Sequence, residues 1–278
     1  LWARVAEGLR HAELMTNRFC SDDELGYVAQ RTAFEPGLGL MLDTSYRLAH
    51  LPLVAPDHPN VIASKVGTTY RMGRHDSVTS LALPVPPTLY ESAGYLDLQR
   101  ELRAAPFSAK IAWHILEARR SRLHATLCGA LASGERLQSL TAAQRYRLAD
   151  LGPLSVELRG LFSGNINLGR LYLKVYPESR DGENVISLIQ QAIGARLTTL
   201  YLVGLFNLVD DLDPDETRHL AQLIDRWWDR PILRYQIDRL WLLSARDDLV
   251  LDGEVRETIS LVRETVAERP LIADNPSR

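Results

Sequence analysis

Apolar positions along the chain repeat with two periods, and each change of period marks an element. Residues 77–85 form an apolar run closed by Pro86-Pro87. Proline cannot donate to a ladder, so the run predicts a strand that ends there. A helical segment follows over 95–102. Within 109–116 the alternation sets Ile111, Trp113 and Ile115 against Ala112, His114 and Leu116, which predicts a second strand. Residues 122–129 read as a third, with Leu123, Ala125 and Leu127 on one face and His124, Thr126 and Cys128 on the other.

The second half repeats the logic. Residues 154–161 alternate cleanly, 163–167 are turn-rich, and 169–176 return as a hairpin partner. On that partner Leu171, Leu173 and Val175 face one side, and Arg170, Tyr172 and Lys174 the other. Val185, Ile189 and Ile193 form a helical stripe stopped by Gly194. Residues 196–206 predict a strand. Asp213-Pro214-Asp215-Glu216 then opens a helix that carries Leu220, Leu223, Ile224 and Trp227 inward. A strand over 236–243 comes next, and Val255, Ile259, Val262 and Val266 predict a last helix. Short helices are expected around 141–149 and, capped by Ser21, near the start. Residues 2–60 are helical and irregular, with breaks at Pro36-Gly37, Pro52, Pro56 and Pro59. His11, His50 and His58 are expected there as surface or structural residues, and the tail from Pro270 as a frayed end.

These elements predict an α+β protein. Residues 1–64 read as a helical and irregular N-terminal extension, expected to cover a sheet edge or groove. Residues 65–278 read as one bilobal domain divided at Asp150-Leu151-Gly152-Pro153, with lobe one at about 65–150 and lobe two at about 151–278. The 278 residues are 46% hydrophobic, enough for a packed core, and the net charge of -3 excludes a global attraction for polyanions. Two cysteines make no disulfide framework, and no Cys/His spacing suits zinc, so neither metal nor cofactor is expected. No apolar run reaches the ~20 residues of a membrane span, and a reducing cytoplasm is the simplest compartment. The chain begins at Leu1, which suits part of a longer protein.

The candidate chemistry is sparse. An imidazole at 124 beside a hydroxyl at 126 can move a proton and hold an oxyanion, which suits phosphodiester chemistry. The competing reading is a polar group hydrogen-bonded at the sheet surface. His114 could reach the same groove. Arg170 and Lys174 beside Tyr172 suit a phosphate and a stacked base, or a solvated strand face.

The order strand, helix, strand and His124-Ala125-Thr126-Leu127 resembles the first lobe of the two-histidine (2H) phosphoesterases, the superfamily of cyclic phosphodiesterases and RNA-ligase-like proteins. The resemblance is to a bacterial branch and spans about 66–251. It implies two lobes of antiparallel sheet with outer helices around a central groove, related by a pseudo-twofold, each lobe giving one His-x-Thr/Ser strand. One histidine then serves as base, the other as acid, and the hydroxyls hold the phosphate. In the second lobe, Leu197-Thr198-Thr199-Leu200 aligns with the motif, and a shift of four matches Tyr201-Leu202-Val203 instead. Neither supplies a histidine. The resemblance therefore implies His124, Thr126 and Thr199 as site residues, Tyr201 or His114 as an assisting group, and Arg170, Tyr172 and Lys174 as substrate contacts. The expected ligand is a cyclic phosphate, nucleotide or RNA end, either hydrolysed with weakened chemistry or bound without turnover. A third reading keeps His124 as a structural residue only.

Overall fold

The computed structural model describes residues 18–133 and 139–263. His11, most of the linker at 134–136, Val266 and the tail lie outside those residues. Eight strands form one curled antiparallel sheet, a half-barrel. They are β1 (Arg74–Pro84), β2 (His124–Ser133), β3 (Leu154–Phe162), β4 (Arg170–Pro177), β7 (Leu202–Asn207), β8 (Pro231–Ile237), β9 (Arg239–Asp247) and β10 (Gly253–Ser260). Their order is β10-β9-β1-β2-β7-β4-β3-β8, and β5 (Ser179–Arg180) with β6 (Glu183–Asn184) makes a small separate hairpin. Helices α1 (Ala93–Ala104), α2 (Ala142–Leu151), α3 (Val185–Ile193) and α4 (Pro214–Trp227) are the longest among the described residues.

Local chemistry sets most of the boundaries. Thr141 and Asp213 cap α2 and α4 through reciprocal capping boxes, and Pro214 occupies the first turn of α4. Gly194 ends α3 with a left-handed φ of 71°, which a side chain would resist. The main core cluster joins sheet residues such as Leu81, Leu83, Ala125, Leu173 and Val203 to Ile189, Leu220 and Trp227 of the helices, and a small second cluster holds Ala82, Leu243 and Val250.

Four predicted elements take another form. Residues 109–116 are short 3₁₀ turns, not a strand; Ile111 and Ile115 are buried there and His114 is exposed. The predicted strand at 196–206 begins only at Leu202, because 195–201 runs irregularly past the end of α3. The predicted last helix is β10. Val255 and Ile259 are four apart, a spacing that fits both periods, and a bulge between Val255 and Glu257 places Val255 outside and Ile259 inside. The strand predicted over 236–243 is likewise two strands. Asp238 is the one residue between β8 and β9, and its carbonyl accepts from Leu261 N.

Residues 18–64 run as an arm across β3, β4 and β7. Cys20 N donates to Pro177 O at 2.9 Å, Thr32 N to Ser163 O at 2.8 Å, and the Tyr27 hydroxyl to both Val175 O and Tyr201 O. The arm explains why both faces of β4 are buried. Its strongest anchor is Lys174, wholly enclosed, with Nζ 3.6 Å from the Trp228 ring centre and 3.3 Å from Asp22 Oδ1. Asp22 also accepts from Trp228 Nε1 at 2.6 Å and from the Tyr176 hydroxyl. Burial pushes the Lys174 ammonium down to about 8 against the pull of Asp22. Removing one member of an enclosed pair strands the other charge, so Asp22→Ala should lose about 3 kcal/mol in urea unfolding. Adding Lys174→Met should restore most of that loss; an Asp22→Ala loss below ~0.5 kcal/mol would show that the arm docks without the pair.

Candidate active site

His124 begins β2, and its ring faces away from the core that Ala125 enters. Beyond it Thr126 is exposed on the same side, but Cys128 is buried in the core. A bulge separates them, since Thr126 and Cys128 oppose the consecutive residues Ala82 and Leu81. The expected His124-Thr126-Cys128 face is therefore a His124-Thr126 face.

That face lines a cleft of about 450 Å³. Val78 and Ser80 of β1 and Leu243 and Ala245 of β9 complete its floor, while the 65–70 loop and the turn at Asp247-Asp248 form its walls. The loop is tied to the arm by the Tyr70 hydroxyl, which donates to Leu48 O. Asp247 is spent on its own turn, accepting from the backbone N–H groups of Leu249, Leu251 and Asp252 at 2.7–3.0 Å.

The cleft brings together two histidines with opposed environments. His124 Nδ1 lies 2.7 Å from Arg122 O, and a carbonyl only accepts, so the proton sits on Nδ1 and the neutral ring keeps its lone pair on Nε2. Burial, aided by the charges of Arg119 and Arg170, pushes His124 down to about 4 despite that bond. His75 stands at the other wall. Its Nε2 is 3.5 Å from Asp248 Oδ1 and its Nδ1 donates to Asp76 O at 2.7 Å, so both ring nitrogens face acceptors. The Asp248 bond raises His75 above its usual value against the opposing effect of burial. Burial acts to raise the Asp248 carboxyl, and the His75 bond with the nearby His50 and Arg170 outweighs it, leaving Asp248 below the ordinary range. Tyr70 stacks on His75 with ring centres 6.4 Å apart.

The other sequence-predicted residues lie elsewhere. Thr199 is exposed in the irregular segment before β7, near Gly26 of the arm. Tyr201 is fully buried; its hydroxyl donates to Thr198 O and accepts from Asn184 Nδ2 at 3.4 Å, and burial raises it. Lys174 is enclosed under the arm. Tyr172 is buried edge-on to Phe162, with the Arg170 guanidinium 5.4 Å over its ring. Arg170 lies flat against Gly204, where any side chain would run into the guanidinium. Gly204 follows Val203, the β7 partner of Ala125, so this guanidinium is a close neighbour of His124 across the strands. His75 carried no signal in the sequence, because its partner Asp248 is more than 170 residues away and only the pairing of β1 with β9 joins them.

Among the described residues no cluster of His, Cys, Asp or Glu is set to hold a metal, and no helix is long and apolar enough to cross a membrane. The chain matches no family model and no curated protein.

His124 generates a pH prediction. Unfolded, it binds a proton below about 6.5; folded, not until about 4. The unfolded state therefore holds more protons in that window, and stability falls as pH drops from 6.5 toward 4, by roughly 3 kcal/mol from this residue. His50, fully buried and also held low, adds to the same slope. His124→Gln should flatten the slope of urea-unfolding free energy over pH 4–6.5; an unchanged slope would place the ring in water.

Proposed function

We propose that the cleft hydrolyses a cyclic phosphodiester in the manner of the 2H phosphoesterases, with His124 as base and His75 as acid. The observation that carries this reading is the sharing of one cleft by a neutral histidine with a bare Nε2 and a second histidine whose protonated form the Asp248 carboxylate favours. Environments that push two titratable groups apart are how one site keeps a base and an acid ready at the same pH. His124 takes a proton from the attacking water as it adds to phosphorus. His75 gives its proton to the leaving sugar oxygen, and the protons re-equilibrate through solvent. Thr126 supplies a hydroxyl to the phosphate, with Ser80 beside it on the floor.

The charge of the cleft narrows the substrate. Lys65 and His75 face three carboxylates, Asp76, Asp247 and Asp248, so the lining has no excess of positive charge. Such a cleft suits a singly charged diester better than a doubly charged monoester. The two halves of the sheet, β10-β9-β1-β2 and β7-β4-β3-β8, stand for the two lobes, joined at Ala125 and Val203. A twofold through that pair carries His124 and Thr126 onto Leu202 and Gly204. In this reading His75 from the start of β1 takes the role of the absent second motif histidine, and Thr199 and Tyr201 have none.

Hydrolysis of nucleoside 2',3'-cyclic phosphates tests the proposal. His124→Ala and His75→Gln should each reduce kcat/KM by about 10²–10⁴-fold. The wild-type profile should be flat from somewhat above pH 4 to beyond 6.5, and His75→Gln should remove its alkaline limb. Absence of turnover in the wild type would leave a binding cleft without chemistry.

A further inference from the structure

Beside His124, under the arm, lies a group of buried polar side chains, several of whose atoms make no hydrogen bond. Arg119 is buried, and its guanidinium donates to Leu249 O, Leu205 O and Gly204 O at 2.7–3.2 Å, with no carboxylate near enough to pair. Arg170, next to it, makes no side-chain hydrogen bond or ion pair among the described residues, and its Nε is buried without a partner. Asn207, paired with Arg170 across β4 and β7, is fully buried; its carboxamide faces the Tyr46 hydroxyl, and neither Nδ2 nor Oδ1 makes a hydrogen bond of 3.5 Å or less. His50 comes from the arm, is 1% exposed, and has an unpartnered Nδ1. Tyr46, whose ring centre is 5.2 Å from that of His50, closes the group through a hydroxyl that donates to Leu208 O.

Buried polar atoms without hydrogen bonds are rare, and here the Nε of an unpaired guanidinium lies with three more, His50 Nδ1 and the two amide atoms of Asn207. A buried positive charge is costly unless an anion compensates it. Among the described residues the carboxylates that face this group are on the turn after β9: Asp247 is bound by N–H groups, and half-exposed Asp248 acts on Arg170 and His50 through its charge while it pairs with His75. Arg170 is half-buried, so its guanidinium is within reach of solvent.

We infer that Arg170, Asn207 and His50 form a seat for a tetrahedral oxyanion, a phosphate group, between the arm and the sheet. The fork of Arg170 suits two phosphate oxygens, and the carboxamide and imidazole N–H groups suit the others. The seat is separate from the proton-transfer pair of the cleft and stands without it. A phosphate there also faces His124, so that a ligand can hold one phosphate in the seat while its diester meets Nε2.

The test is calorimetric titration of the full chain with inorganic phosphate and with adenosine 5'-monophosphate, compared across wild type, Arg170→Gln, Arg170→Lys and Asn207→Asp. Wild type should bind. Arg170→Gln should weaken binding at least about tenfold, Arg170→Lys should retain part of it, and Asn207→Asp should abolish it while raising thermal stability, because the new carboxylate fills the seat. The last variant separates loss of the site from loss of the fold. Equal affinity for the two probes identifies a free ion as sufficient; tighter binding of the nucleotide identifies a phosphate on a larger ligand. Phosphate heats that are the same in wild type and Asn207→Asp, or a crystal soaked in phosphate that holds only water between Arg170 and Asn207, would overturn the seat. Phosphate binding without cyclic-phosphate turnover would leave the seat standing and remove the hydrolase; turnover without phosphate binding would do the reverse.

Discussion

Asp238 alone separates β8 from β9, yet these strands belong near opposite ends of the sheet order. Two Cα steps span at most about 7 Å, so the sheet must curl to bring β8 back to the start of β9. The Tyr235 hydroxyl of β8 then reaches Pro84 O at the end of β1. Everything else about the site follows from that closure. It carries β9 to the side of β1, and with β9 comes the turn that bears Asp248. The middle of the curl is the seam between β2 and β7, which rests on the single register pair Ala125 and Val203. Arg119 spans this region, linking two β7 carbonyls to Leu249 of the β9–β10 turn. A buried guanidinium there, lowered to about 9 by desolvation, trades hydration for three carbonyl dipoles.

The curled sheet is used unequally. Over β3, β4 and β7 the arm supplies the cover, and side chains on both faces of β4 are buried. Over β1, β2 and β9 the arm has passed, and the face stays open as the cleft. The same strand pattern thus gives a sealed aromatic interior around Lys174 and a cleft lined by two histidines a few strands away. Partners, rather than cover alone, decide which polar groups keep their charge: enclosed Lys174 has Asp22, and His124 has only a backbone carbonyl.

The legible parts of the sequence were those whose determinants are local. Caps at Ser21 and Asp213, the short helix after Thr141, the stop at Gly194, the β3–β4 hairpin and the His124-Thr126 face needed only neighbouring residues to be read. Period alone failed where a spacing of four served two geometries, as with Val255 and Ile259, and where alternation was realised as 3₁₀ turns around Trp113. The outward face assigned to Lys174 failed for a different reason: alternation identifies two faces but not which one another segment will cover. His75 and His50 were beyond reach of any local rule, since one acquires its partner from β9 and the other is buried by the arm's own path.

Because β9 pairs with β1, the strand that heads the sheet domain waits for its neighbour until residues 239–247 have been made. During synthesis at ~5–20 residues per second, β1 and β2 therefore spend on the order of ten seconds with one edge unpaired. Exposed edges of this kind recruit other strands, so the chain has a built-in interval of vulnerability on the ribosome. His124 and Thr126 are laid down early, but the wall that turns them into a cleft arrives last.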